Sequence, residues 1–511
     1  MKQELQVVRR MFMGRRWWVW LGVLALIGAA AGSFAQDTDP LQAGVAARKA
    51  GDYARALELW KPLAEKGDRA AQFFLGQLYR AGEGVPQDYK EAAKWYQRAA
   101  DQGHPAAQNN LGYLYANGLG VARSFEIAYK WMNLAAAAGH EEAQKGLVDL
   151  AKELTIQQIA ETEARLGWMY QRGWTVEQSH AEAARWYTLA ALKGHPAAQY
   201  SLGTLYGEGL GVPQNFTDAA RWYTLAAIQG HTRAQFQLGQ MFVNAQGVEQ
   251  DLPAAYAWFH LAGQGGVPGA LAEMSLAERQ MGEENLPRAW NRVGVFYHQG
   301  IGVERNSREA LKWYLRAAAL GYPSAQFNIG LLYQNGDGVE QNPAQAYEWF
   351  LKAAHQGHGQ AENSVGLALQ RGTGVKQDAK RALDWFRRAA NQGVIAAQVN
   401  LGYAYYTGVG VERDYAQALE RFRDAAAKGE PRAMDALGRM YFAGHGVEAD
   451  AVEAYKWFML AATGNYQQAK EGLELTRGKL NESQLAAAQL KVEEWARAGA
   501  AQAADVPKPA N

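Results

Sequence analysis

Histidine is the side chain best suited to hold a metal ion or move a proton near neutral pH. This 511-residue sequence puts five of its ten histidines, His104, His140, His195, His231 and His358, at one recurring position. A catalytic metal would need such groups about 2 Å from a shared ion. Neighbours in this set are 36 residues or more apart, and equivalent positions in stacked helix pairs stand at least about 10 Å from one another. They predict a role at helix connections rather than a metal centre. Other chemistry fares no better. His140 opens "HEEAQ", which carries Gln144 where a zinc-protease helix needs its second histidine. No serine begins S-x-x-K and no G-x-S-x-G occurs, so the usual frames of penicillin-binding and hydrolase nucleophiles are missing. Glu141 and Glu142 read as a solvated helix face rather than a glycosidase pair. The absence of cysteine removes disulfides, thiolate metal sites, cysteine nucleophiles and a lipid-modified N-terminal Cys. The reading is of a non-enzyme with no catalytic residue, no metal and no cofactor.

The elements that would position these residues repeat. A Trp recurs at Trp95, Trp131, Trp186, Trp222, Trp258, Trp313, Trp349, Trp385 and Trp457, followed by an aromatic in all but Trp131, with Arg421 in one copy, at a spacing of 36 residues that twice lengthens to 55. A fixed period of this size marks a repeat array. Seven residues before each of these ten positions stands Asp, Ser or Asn, from Asp88 to Asp450, the types that cap a helix start. Eight residues after them stands Gly, with Asn465 in the last copy, the types that close one. Upstream, segments such as "AAQFFLGQLYRAG" have apolar residues at helical spacing, and Pro105, Pro196, Pro323 and Pro431 stand at their starts. Each copy therefore reads as an antiparallel helix pair.

Nineteen residues before the Trp position, glycine occupies all ten copies, from Gly76 to Gly438, inside the first helix. There it costs about 1 kcal/mol relative to alanine, which predicts close helix approach at that level, with alanines such as Ala92 and Ala99 facing it. The linker reads G-x-G-V, with Val85 and its counterparts as apolar plugs. Its spacing matches neither G-x-G-x-x-G nor a P-loop, so it predicts architecture rather than a phosphate cradle.

The set LG-x-LY, G-x-GV, A-x-x-W-Y/F and AA-x-x-G at this period resembles the Sel1-like repeat family, kin of tetratricopeptide repeats, over about Gly51 to Asn465. The departures are Trp174 and Thr175 in one loop, Ala245 for a loop glycine, Arg421 for Trp and Gly263 for Ala. The resemblance implies an all-α fold, a right-handed α-solenoid superhelix of about ten helix pairs. A partial opening unit lies at Gly51 to Asp68. The two nineteen-residue insertions and the C-terminal stretch predict extra helices at two junctions and at the end.

Basic residues Lys2, Arg9, Arg10, Arg15 and Arg16, then an apolar run from Trp17 to Gly32, predict a secretory leader over 1–35 cleaved after Ala35. The alternative is an uncleaved inner-membrane anchor, for which the run is short. The expected organisation is a leader at 1–35, repeat blocks at 36–160, 161–287 and 288–498, the last with capping helices, and a disordered tail at 499–511. Cleavage takes the formal charge from +1 to about −3, leaving no polybasic footprint for nucleic acid and no stable membrane span. A periplasmic or secreted location follows.

The first helices carry the variable residues. Phe73, Asn110, Tyr113, Arg165, Trp168, Tyr200, Phe236, Arg292, Phe327, Asn328, Asn400 and Tyr403 mix aromatics with Asn and Arg, a composition of interface anchors, and are expected to line a concave groove. By the tetratricopeptide analogy, Asn110, Asn328 and Asn400 would hold a peptide main chain. The expected function is a scaffold or adaptor binding protein or peptide partners of the cell envelope. The resemblance implies settings such as envelope signalling or polysaccharide production. The alternatives are an envelope enzyme acting on peptidoglycan or β-lactams, and a carbohydrate-binding module.

Overall fold

The computed structural model describes residues 39–505. The expected leader with its cleavage point, and residues 506–511 of the expected tail, lie outside them. Among the described residues there are 26 α-helices, one short 3-10 turn and no strand, so the all-α expectation holds. No helix among them is long and apolar enough to cross a membrane. The chain divides into two compact units, residues 39–114 with 118–122, and residues 115–117 with 123–505.

Within each unit the repeat is the expected helix pair, for example Pro196–Glu208 followed by Phe216–Ile228. The starts are capped where the residue types predict. Asp88 Oδ1 accepts from the amides of Lys90 and Glu91 at 2.8 and 3.0 Å, and Asn215 Oδ1 from that of Asp218 at 3.1 Å. These bonds satisfy first-turn donors that have no partner within the helix. First helices close on a left-handed residue, Gly209 at φ 69° in the pair above. Ala245 holds the same conformation at φ 54° and Thr175 keeps φ 63° in its loop, so the departures from glycine change the residue and not the turn. The opening unit is fuller than the motif suggested. Pro40–Lys49 pairs with Tyr53–Glu65, and Trp60 is wholly buried between them.

In nine copies the glycine inside the first helix has a more specific partner than facing alanine. A Cβ at Gly330 would lie 2.5 Å from Cδ1 and Cε1 of Phe350, and one at Gly203 would lie 2.9 Å from the same atoms of Tyr223. Gly76, Gly167, Gly239, Gly294, Gly366, Gly402 and Gly438 face Tyr96, Tyr187, Phe259, Tyr314, Phe386, Phe422 and Phe458 in the same way. In these nine copies the aromatic after the Trp position, or after Arg421, thus brings its ring edge against bare backbone. The expected approach to alanine is also present at Gly294 and Gly366, where the carbonyls of Ala310 and Ala382 are 3.2 Å from the missing Cβ.

A polar seam accompanies this apolar packing. Gln72, Gln108, Gln199 and Gln235 are buried, and each donates from Nε2 to a carbonyl eight residues earlier, Ala64, Ala100, Ala191 and Ala227, at 3.1 to 3.2 Å. Those carbonyls belong to the last turn of the preceding helix, where no intrahelical donor remains. In several copies the Gln oxygen then accepts from a residue thirty positions on, as Gln72 Oε1 does from Gln102 Nε2 at 2.8 Å, Gln199 from Gln229 at 2.7 Å and Gln326 from Gln356 at 2.8 Å. In two copies the seam carries charge: Glu362 pairs with Arg388 at 2.8 Å, and Glu163, only 5% exposed at its side chain, pairs with Lys193 at 2.8 Å. Burial holds the Glu163 carboxyl above the usual carboxylate range even beside that lysine. Lys193→Gln is expected to cost about 2 kcal/mol by leaving a buried acid short of a partner. Adding Glu163→Gln should restore most of it, because the pair then matches Gln199 and Gln229. Urea denaturation of the single and double variants checks this.

Extra helices stand at all three expected places: Glu141–Leu150; Ala270–Met281 with the turn Glu283–Asn285; and Ala469–Arg477 with Glu482–Asp505. The last helix continues through Gly499, where the tail is expected to begin, in an alanine-rich stretch that favours helix. At the second junction Leu252–Gln264 packs against both Ala270–Met281 and Leu286–Gln299. Its ten residues Pro253 to Ala262 are all buried, as befits a helix covered on every side.

Candidate interaction surface

The recurring histidines are helix caps. Nδ1 of His104, His195, His231 and His358 accepts from the amide three residues on, Ala107, Ala198, Ala234 and Ala361, at 3.2 to 3.3 Å. His140 holds the same place without that bond. Three rings also stack on an aromatic of the preceding first helix: His104 on Phe73 at 4.5 Å, His231 on Tyr200 at 4.7 Å and His358 on Phe327 at 4.9 Å. Burial pushes the pKa of His231 and His358 down, so both favour the neutral form that an accepting Nδ1 requires.

Those stacks place several expected groove residues inside the repeat packing. Phe73 is buried against Tyr96, Phe74 and His104. Tyr200, Phe236 and Phe327 are half-buried against Tyr223, Phe259 and Phe350. Tyr403 is half-buried against Phe422 at 5.0 Å, and burial pushes its hydroxyl up to about 12. Two of the expected asparagines join first helices of neighbouring repeats: Asn328 Nδ2 donates to Asn291 Oδ1 at 3.0 Å and the buried Asn400 to Asn363 at 2.9 Å. Arg292 reaches Asp251 at 2.9 Å. The residues that remain outward are Tyr113 at 47% exposure, Trp168 at 45% and the exposed Arg165, with Asn110 half-buried. Trp168 is joined by Trp174, 54% exposed, their ring centroids 5.6 Å apart. Sequence reading passed over Trp174 as a loop departure, although a tryptophan replacing a small loop residue is itself a signal of a surface anchor.

Within each unit a row along the first helices emerges from this sorting. At 21 and 18 residues before the Trp position the side chains are half-buried or exposed in nearly every copy, while the leucine or its equivalent at 20 is buried throughout, from Leu75 to Leu437. The outward row reads, in the first unit, Phe74 and Gln77, Asn110 and Tyr113, and, in the second unit, begins with Arg165 and Trp168, Ser201 and Thr204, Gln237 and Gln240. Position repeats and chemistry does not.

The Sel1 repeat family model matches eleven segments, beginning with residues 42–68, 69–104, 105–140 and 160–195 and ending with 431–466. The chain belongs to the Sel1 repeat family. Its tenth match, residues 395–430, includes the copy with Arg421, and the first, residues 42–68, takes in the opening pair that the motif alone had left partial. A protective antigen of uropathogenic Escherichia coli described as displaying an SLR fold is 31% identical, with 92% of this chain and 95% of that one covered and a TM-score of 0.43. A Sel1 repeat protein from Oxalobacter formigenes is 30% identical over 52% of this chain and 99% of that one, with a TM-score of 0.37. A search of the curated proteins gave no match.

Proposed function

We propose that this Sel1 repeat chain is a non-enzymatic scaffold or adaptor exported to the bacterial cell envelope, where it binds proteins or peptides through the outward row of its first helices. The observation that carries the reading is the contrast between constant packing and changing surface. Glycine, ring, glutamine and cap recur from repeat to repeat, whereas the outward positions run through aromatic, amide, hydroxyl and guanidinium groups. A regular array that holds unlike side chains at regular intervals suits an extended polypeptide partner. The leader read in the sequence supports export, and envelope signalling or polysaccharide production is the setting we assign.

Replacing Asn110 and Tyr113 together with alanine in the full chain should leave helical content unchanged. Recovery of cross-linked protein partners from envelope extracts should fall at least about fivefold, as for loss of an interface anchor. Equal recovery would remove this stretch from the surface. Turnover of peptidoglycan or of a chromogenic β-lactam by the purified chain would favour the enzyme reading instead. The exposed pair Trp168 and Trp174 favours a second reading, glycan binding, which a glycan array run beside a peptide array decides.

A further inference from the structure

Among the charges in which the first junction differs from the second is a carboxylate that the second has and the first lacks. In each, the first helix after the insertion carries an arginine at the same place, Arg165 and Arg292. Arg292 is neutralised by Asp251, which caps the second helix of the repeat before. The residue equivalent to Asp251 at the first junction is Ser124, whose hydroxyl caps Phe125–Ala137 and carries no charge. Arg165 accordingly has no ion pair or hydrogen bond among the described residues, and it faces a cleft.

That cleft, of about 710 Å³, lies between Phe125–Ala137, Ile156–Arg172 and the start of Pro196–Glu208. The inserted Glu141–Leu150 follows Phe125–Ala137 directly, and Ile156–Arg172 has 17 residues against the 13 of Pro196–Glu208. Its apolar wall is formed by Ile127, Ala160 and Pro196. The other charged groups on its lining are engaged. Glu126 accepts from Gln158 at 2.5 Å and from Ser124 at 3.0 Å. Glu161 meets His195 at 2.8 Å, and Lys193 meets Glu163. The Lys130 ammonium sits 3.9 Å from the Trp131 ring centre. Arg165 is thus a cation beside an apolar wall, in the position where its counterpart holds a carboxylate. The size suits a few residues of peptide. The amide of Gln157 and the oxygen of Gln229 also line the space without partners of their own, and they can pair with main-chain N–H and C=O groups.

We propose that this cleft binds an extended acidic peptide segment, with an Asp or Glu side chain taking on Arg165 the place that Asp251 takes on Arg292, and a neighbouring apolar side chain resting on Ile127, Ala160 and Pro196. The proposal rests on the scaffold reading and names the chemistry of one of its contacts. An Arg–carboxylate pair can be bidentate and selective for a planar anion.

The test is selection of a phage-displayed random octapeptide library, presented as internal segments, on the full chain. Enriched sequences should hold Asp or Glu next to Leu, Ile, Val or Phe. A synthetic enriched peptide should bind at least tenfold more weakly to Arg165→Gln and to Ser124→Asp. The second variant keeps a capping residue used in other repeats while supplying Arg165 with its own carboxylate, so it tests the idea even if the first perturbs folding. No enrichment, enrichment without an acid, or binding unchanged in both variants would overturn the assignment. Enrichment confined to a parallel library with free C-termini would overturn it too, by pointing to a terminal carboxylate. If Arg165→Gln loses the peptide yet the chain still captures partners through Asn110 and Tyr113, both readings stand. If the peptide never binds while that capture persists, only the cleft proposal falls.

Discussion

Phe350→Ala is expected to destabilise the chain by about 3 to 5 kcal/mol, the range for removing a fully packed ring. Gly330→Leu is expected to cost about 1 to 3 kcal/mol through overpacking. Combined, the two should cost clearly less than their sum. Phe350 is 3% exposed, and its ring edge lies 2.5 Å from where a Cβ at Gly330 would stand. A leucine at 330 therefore competes for the ring's own volume, and removing the ring vacates the space that the leucine needs. Residues in such contact couple by about 0.5 to 3 kcal/mol in a double-mutant cycle. Urea denaturation of the four proteins measures it. Additive costs would show that ring and glycine do not share one space, and the same glycine–ring contact recurs in eight other repeats.

His260 should make the second junction sensitive to acid. It is 7% exposed in Leu252–Gln264, with Nε2 3.3 Å from the Tyr297 hydroxyl and its ring edge-on to Trp313 at 4.8 Å. Burial pulls its pKa from 6.5 down to about 4, with Glu309 opposing and Arg316 reinforcing that shift. The unfolded chain then takes up a proton between roughly pH 6.5 and pH 4 that the folded chain refuses, so stability falls as pH drops through that window. The loss attributable to His260 should be about 2 kcal/mol between pH 7 and pH 5 and about 3 kcal/mol by pH 4. His260→Asn, which copies the buried Asn133 at the equivalent place, should abolish this part of the pH dependence. Carboxylates titrate in the same range, so the quantity to measure is the difference between wild-type and variant denaturation midpoints at each pH. A constant difference from pH 7 to pH 4 would contradict the assignment.

The local features were legible in the sequence because they are set by groups a few residues apart. A helix cap such as Asn215 satisfies an amide three residues away, and a closing glycine answers to its own φ, so type and position suffice. Packing across the pair was half legible. The recurring glycine announced a tight contact, but its partner ring lies twenty residues on, and only the register of the two helices shows that Phe350 rather than an alanine covers Gly330. The same limit separated Phe73 from Tyr113. Both are aromatics of a first helix, yet one is held between Tyr96 and His104 while the other stands outward. The glutamine seam was missed because Gln72 resembles any polar helix residue until the last-turn carbonyl of Ala64 is found beside it. Pro40–Lys49 escaped because it is shorter, at ten residues, than the thirteen or more of the first helices on which the motif was built.

The claim that the outward row is the binding surface can be tested by placing a photo-cross-linking residue, one position at a time, along the full chain in its native host. Protein adducts are expected from positions 113, 168, 204 and 240, which lie on that row, and none from the exposed second-helix positions 94, 348 and 420. Adducts from the second-helix positions alone, or none from either set, would contradict it.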